Sequence, residues 1–375
     1  MGRHVPINLW HYEPNKVAPI VFAVMFATSG AVHFYQTFRY KSSRYTIMLP
    51  WAALIMAAGF CLREAGAYDT HDLDIYIAGQ VLIMSGPPIY AAIDYFILSR
   101  VLFYIPYLSP LHPGRVVTTF IGIDTLIECV IGNGVSRMVN QGLSPSQRAV
   151  GEIMVKTAII LQAVMFGVFV YLGVVFHRRC ARKGVLSRAI KTVLYTLYFS
   201  STIVTIRCIY RIVEMFQGFD GYIYTHEPLF WVFEASIMFV NTVIFNIWHP
   251  GRRLPGDNTI YLSMDGVTER KGPGWKDDRN FLLTIFDPFD LVGICTGKDK
   301  KTQFWNMSDE EVEKLIEDRK KNKRVWWKVL LDPFHLCGEK GKITKFRRRG
   351  TSDVEAEAGL RGHETELGKT SSTQA

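Results

Sequence analysis

Apolar positions gather into seven long runs along the chain, at roughly 17–36, 46–65, 75–98, 116–136, 153–176, 192–214 and 229–248. Each comes close to the ~20 residues that carry a helix across a ~30 Å hydrocarbon layer. In lipid every backbone N–H and carbonyl has to be satisfied within its own segment, so all seven are predicted to be helices. Past residue 250 the pattern changes to polar and charged. The sequence therefore reads as an all-α membrane protein, a seven-transmembrane-helix bundle. Residues 1–16 precede the membrane domain, 17–250 form it, and 251–375 form a polar, partly disordered tail.

The short polar stretches between runs set an orientation. Loops after the first, third and fifth runs carry eleven Lys or Arg, among them Arg39, Lys41, Arg100, Arg115 and Arg188. The opposite side has five: Arg3, Lys16, Arg63, Arg137 and Arg148. Basic loops stay in the cytosol, so the N-terminus is expected outside and the tail inside. The N-terminus lacks the basic, short apolar and cleavage-site regions of a signal peptide, so the first run is expected to remain in the protein.

Several charges interrupt this pattern. The sixth run ends in TIRCIYRIVEMFQGFDG, residues 205–221, with Arg207, Arg211 and Glu214 at i, i+4 and i+7 on one helical face. Such residues cost several kcal/mol in hydrocarbon and usually face the bundle interior. Candidate partners sit in the outer halves of other runs. Asp124 and Glu128 lie in the fourth, Glu227 and Glu234 in the seventh, Arg63 and Glu64 at the end of the second, and Glu152 and Lys156 in the fifth. Asp94 stands apart near the inner end of the third. The cluster is expected to line an outward-facing polar cavity with carboxylates in excess. The plainer alternative is a set of structural ion pairs and snorkelling arginines. Pro87-Pro88 in the third run removes backbone donors and predicts a kink.

Motifs for catalysis are missing. The ten histidines divide between the two membrane faces without HExxH or HxxxH spacing, and neither a GxSxG nor a Walker-A sequence occurs. The six cysteines form no CxxC and suggest no disulfide framework. An enzyme is not expected, and no cofactor or metal is implied.

These residues resemble the fungal RTA-like proteins, the lipid-translocating exporter family. The strongest likeness runs through RCIYRIVEMFQGFDG, HEPLFWVFEASIM and HPG at 249–251. It is carried by Arg207, Arg211, Glu214, Gly218, Gly221, Glu227, Glu234, His249, Pro250 and Gly251. SGPPIYAAIDYFILSR resembles the third-span motif through Pro87, Ala91, Ala92, Tyr95 and Arg100, and Phe120, Asp124 and Gln162 fit the fourth and fifth spans. Tyr12 and Pro14 fit a short N-terminal motif. The likeness covers about 12–251. It departs where Glu234 replaces the usual Asp, where Ile131 replaces a Gln, and where EAGAY alters an acidic-Gly-Tyr motif.

The resemblance implies seven spans with an external N-terminus. It also implies export or translocation of amphiphiles such as sphingoid bases or aminosterols, with resistance to toxic compounds as the outcome. On that reading Arg207 and Arg211 hold an anionic headgroup or position the carboxylates. Asp124, Glu128, Glu214 and Glu234 bind an amine headgroup or carry a coupling proton, with Glu227 and Glu64 nearby. The partners are then a lipid or amphiphilic small molecule and the membrane lipids, with no nucleic acid and no identified protein partner of the tail. The plasma membrane is the expected location, with vacuolar or endosomal membranes as alternatives. A seven-helix sensor signalling through its tail fits the same features.

The tail carries 24 basic and 21 acidic residues and an internal repeat, DPFDLVG at 287–293 and DPFHLCG at 332–338. Ser308 and Glu311 predict a capping box opening a helix over 309–330. RVWWKVLL, with Trp beside cations, suits the headgroup region.

Overall fold

The computed structural model describes residues 10, 12–140, 142–218, 221–274 and 303–321, with isolated residues 287, 293, 295 and 297. The chain divides into two units, Met1–Lys321 and Asn322–Ala375, and the second lies outside the described residues. So do the second DPF copy and the RVWWKVLL segment; of the first copy only Asp287 and Gly293 are described.

Among the described residues seven helices are long and apolar enough to cross a membrane, and the chain is an integral multi-pass protein. They are α1 (Ala18–Arg39), α2 (Ser43–Tyr68), α3 (Leu73–Tyr104), α4 (Pro113–Met138), α5 (Pro145–Arg182), α6 (Arg188–Gln217) and α7 (Glu227–Arg252). All run past the expected edges at one end or both, and at three of them local capping chemistry sets where the helix begins. Asp72 accepts from the amides of Asp74 and Ile75 to open α3. Ser144 and Gln147 form a reciprocal capping box at α5, and Ser187 caps α6 through the Ile190 amide. At the end of α6 the chain turns through Gly218 at φ +76°, a left-handed conformation that disfavours any residue with a Cβ.

The helices that begin near the N-terminus and those that end there define an N-terminal face. The turn at residues 40–42 and the segment after α7 lie at the opposite, C-terminal face. α3 is the central helix. It packs against α2, α4 and α6, and α7 closes the bundle against α1 and α6. Between residues 93 and 103 of α3 only Phe96 is not buried, so this stretch has no solvent- or lipid-facing side and shows no amphipathic pattern. Peripheral helices instead leave Val24, Phe34 and Tyr171 exposed, as lipid-facing surfaces do. Small residues allow close crossing: a Cβ on Gly134 of α4 would stand 2.8 Å from the Gly151 carbonyl of α5.

Pro87-Pro88 lie inside α3, which continues as helix through Tyr104. The third helix departs from expectation at its C-terminal end. Arg100, counted among loop cations, is fully buried inside that same helix, since α3 extends six residues beyond the expected edge at 98.

After α7 a hairpin forms, β1 (Ile260–Leu262) antiparallel to β2 (Glu269–Lys271), with Tyr261 opposite Arg270. Tyr261 and Phe103 both pack on Phe304. Three residues per strand in a polar stretch carry too little alternation to be read from sequence. In the tail, Ser308 and Glu311 make the expected capping box and open α8 (Asp309–Lys321); the remainder of the expected helix lies outside the described residues.

The hairpin turn gives a pH prediction. Asp265 accepts from the Thr268 hydroxyl and from the amides of Val267 and Thr268. These bonds hold its carboxyl down at about 2. The depressed value means that the turn is fully supported above the ordinary carboxylate range, near ~3.9. That support is lost as pH falls through about 2. Amide exchange at Val267 and Thr268 should therefore lose its protection, relative to a free peptide, only on acidification below that range.

Candidate functional site

The charged face of α6 meets α7 inside the bundle. Arg207 directs Nε and Nη2 at Oε1 of Glu234, at 2.9 and 2.8 Å. Arg211 directs Nε and Nη2 at Oε2 of the same carboxylate, both at 3.0 Å. Its Nη1 then reaches Oε2 of Glu214 at 2.5 Å. Glu234 is 0% exposed and the two arginines and Glu214 are all buried. Two positive and two negative charges cancel, which is what lets the group sit away from water. Arg207 lies ten residues from the end of α6, about 15 Å of helix, well beyond snorkelling reach of the N-terminal face.

Backbone geometry puts Glu234 there. Residues Trp231–Ser236 form a π turn within α7. The extra residue in that turn rotates the rest of α7 and widens the helix where Glu234 faces both arginines. Such turns recur at functional sites. A contiguous apolar run gave no signal for it.

A narrow cleft lies beside this group, between α3, α4, α5 and α6. Pro87, Pro88, Tyr95, Asp124, Gln162 and Arg207 are among its lining residues, and its empty space totals about 280 Å³. Tyr95 donates to Asp124 Oδ2 at 2.6 Å, and Gln162 Nε2 donates to Glu128 Oε1 at 3.0 Å. Only about 10 Å³ of the cleft's empty space admits the centre of a water-sized sphere, far below the ~300–1,000 Å³ of ordinary ligand pockets. The expected open outer-half cavity with surplus carboxylates is thus a closed polar seam in this conformation, because Arg207, Arg211, Tyr95 and Gln162 engage the acids.

Glu227 does not join that cluster. It accepts from Arg63 Nη2 at 3.0 Å and from the Asn15 amide at 3.0 Å, and Arg63 also donates to the Tyr12 hydroxyl at 2.8 Å. The Arg63 guanidinium lies 4.6 Å from the Trp10 ring centre and 4.1 Å from that of Phe230, a desolvated cation–π arrangement. Burial pushes the Tyr12 phenol up, with Arg63 opposing. Residues 10–15 thereby latch across the mouths of α2 and α7, which gives the N-terminal Tyr12 a structural reason. Glu64, beside Arg63, has shielded oxygens and no hydrogen-bond partner among the described residues. Glu152 and Lys156 pair with each other at 2.5 Å on a half-exposed face of α5, apart from the seam.

Sequence reasoning placed Arg207, Arg211, Glu214 and Glu234 in one interior group, and the structure brings them together. It gave Asp94, Ser200 and Asn241 no role, although isolated polar residues in apolar runs were a usable signal. Among the described residues no group of three or more His, Cys, Asp or Glu is placed to hold a metal ion.

A family model described as "RTA1 like protein" matches residues 49–257. A "Lipid-translocating exporter-like protein RTA1" of Leptosphaeria maculans is 39% identical over 321 residues, covering 79% of this chain. The chain spans 61% of that relative's length. A protein of the same description from Ajellomyces capsulatus is 33% identical over 287 residues, covering 73% of this chain and 89% of its own. A "Sphingoid long-chain base transporter RSB1" of Saccharomyces cerevisiae is 33% identical over 95 residues, 25% of each chain. No solved structure matches the chain.

Proposed function

The chain belongs to the RTA1-like family of fungal lipid-translocating exporter-like proteins, and from that premise we propose that it moves an amphiphilic lipid or lipid-like compound across its bilayer. A sphingoid base is the favoured substrate class. One observation carries the reading: a charge-balanced group, Arg207–Glu234–Arg211–Glu214, buried beside a proline-lined seam that holds two further acids. A purely structural ion pair has no use for Asp124 and Glu128 alongside.

The chemistry runs as an exchange of partners. An ammonium headgroup entering the seam bonds Asp124 and Glu128, and its hydroxyls take the place of Tyr95 and Gln162. An anionic headgroup instead competes with Glu234 for Arg207 and Arg211. The first exchange loosens α4 from α3 and α5, the second loosens α6 from α7, and either widens the seam. A proton taken up by Asp124 or Glu234 would couple that opening to a gradient. Glu227 and Glu64 stand at the mouth with Arg63, where the N-terminal latch would gate entry. The N-terminus is outside, the tail beyond residue 251 cytosolic and the plasma membrane the site of action. Transport, not catalysis, is the activity.

The test uses the full chain in liposomes with a fluorescent sphingoid base, with and without a pH gradient. Protein-dependent movement should fall several-fold in Asp124→Asn and Glu128→Gln, neither of which removes an arginine's partner. Saturable binding without movement, lost in the same variants, would overturn transport and leave a sensor.

A further inference from the structure

A second polar layer lies nearer the C-terminal face, and the headgroup exchange does not use it. Asp94 on α3 is fully buried. The Ser200 hydroxyl of α6 donates to its Oδ2 at 2.9 Å, while its Oδ1 has no hydrogen-bond partner among the described residues. Ser201 Oγ is buried without one, and so are both amide atoms of Asn241 on α7, itself fully buried.

The three helices bring these groups to one level. Asn241 comes seven residues after Glu234, and Ser200 precedes Arg207 by seven. Both are therefore about 10 Å along their helices from the ion pair. Tyr90, one turn from Asp94, hydrogen-bonds to Thr242, the neighbour of Asn241. Five side-chain oxygens stand at about this level, two from Asp94 and one each from Ser200, Ser201 and Asn241.

Among the described residues no Lys or Arg pairs with this layer; the nearest imidazole, His33 of α1, meets the Thr242 carbonyl through Nε2 at 3.0 Å. On its own helix Asp94 has Tyr95, bonded to Asp124 of α4. α6 brings Arg207, paired with Glu234 of α7, and the thiol of Cys208. Arg100, further along α3, donates to backbone carbonyls. The facing stretches of α2 (47–60) and α5 (163–170) carry no charged residue. A lone carboxylate in a membrane interior is not tolerated without a counter-charge.

We propose that Asp94, Ser200, Ser201 and Asn241 bind one exchangeable monovalent cation, a proton or a sodium ion. One carboxylate balances one positive charge, so a divalent ion would leave the interior charged. An all-oxygen donor set suits a hard cation and not a soft metal. Transporters hold coupling ions at comparable depth, between helices near the bilayer midplane. Cation binding here would hold equally for a transporter or a sensor, so its test is separate from lipid movement.

The full-length protein in detergent is titrated with NaCl against equimolar N-methylglucamine chloride at several pH values. Thermal midpoint and bound radioactive sodium are read together. A sodium site gives a saturable rise in midpoint and about one bound ion, both lost in Asp94→Asn. A proton site gives no sodium effect, but shows a pH step in midpoint that Asp94→Asn lacks. If Asp94→Asn does not fold, Ser201→Ala, which leaves the Asp94–Ser200 bond in place, must shift whichever titration the wild type shows. Wild-type indifference to both cations, or titrations unchanged by Asp94→Asn or by Ser201→Ala, overturns the site.

Discussion

Glu234→Ala is expected to destabilise the bundle by about 3–5 kcal/mol, the cost of stripping a buried ion pair of one partner. Here the removal affects two arginines at once. Arg207 loses its bonds to Oε1 and Arg211 its bonds to Oε2. Arg211 keeps Glu214, but Arg207 has no other ion pair among the described residues. Glu234→Gln should cost less, because an amide oxygen still accepts from one guanidinium while the charge is lost. The double change Arg207→Met with Glu234→Met should recover part of the loss, since a packed apolar pair of similar volume often replaces a buried ion pair at little cost. Thermal unfolding of the detergent-solubilised protein, followed by tryptophan fluorescence, measures all three. A midpoint for Glu234→Ala close to wild type would mean that Arg207 finds water or lipid headgroups, and that the group is not sealed as the structure has it. Recovery in the double variant would separate stability from function, because that variant keeps the fold but has lost the carboxylate that a headgroup would displace.

The features legible in the sequence are those enforced by the solvent. A bilayer demands long satisfied helices, so the seven spans emerge from apolar runs alone, and the i, i+4, i+7 spacing fixes a common face for Arg207, Arg211 and Glu214. Pairing across helices was harder. Glu234 could be proposed as a partner only because it was an acid in an apolar run; its reach depends on the π turn at Trp231–Ser236, which side-chain periodicity does not encode. Asp124 and Glu128 read as surplus charge because their partners, Tyr95 and Gln162, are neutral and escape a search for opposite charges. Asn15 and Tyr12 reach Glu227 and Arg63 from residues far away in sequence, and nothing local announces that. Arg100 misled for a specific reason. Cations near helix ends usually mark the cytosolic headgroups, yet this one turns inward to bind backbone.

Arg100→Met should leave the seven helices folded while releasing the hairpin after α7. The Arg100 side chain is fully buried. It donates Nη1 to the Ile260 carbonyl at 3.2 Å, and Nη2 to those of Pro255 and Asp257 at 3.2 and 3.0 Å. Three carbonyls on an irregular stretch thus have one cation as donor. Hydrogen bonds from a charged group contribute about 1.5–3 kcal/mol each when the acceptor has no substitute. Methionine keeps an unbranched apolar stem but supplies none. Among the contacts that remain are Tyr104 donating to Glu269 at 2.7 Å, Tyr261 edge-on to Phe304 and Leu262 buried in the main core. None of them supplies a donor to the three carbonyls. Hydrogen exchange should therefore accelerate at Ser263 and Gly272, whose amides close the hairpin on Thr268 and Thr259, while amides in the middle of α3 keep wild-type protection. Arg100→Lys should fall between the two, since one ammonium cannot span three carbonyls as a planar fork does. Unchanged protection at Gly272 in Arg100→Met would show that aromatic packing alone anchors the hairpin. Loss confined to the hairpin would identify Arg100 as the joint between membrane helices and the segment that leads to the tail, so movement of α3 would be felt directly at the tail's first residues.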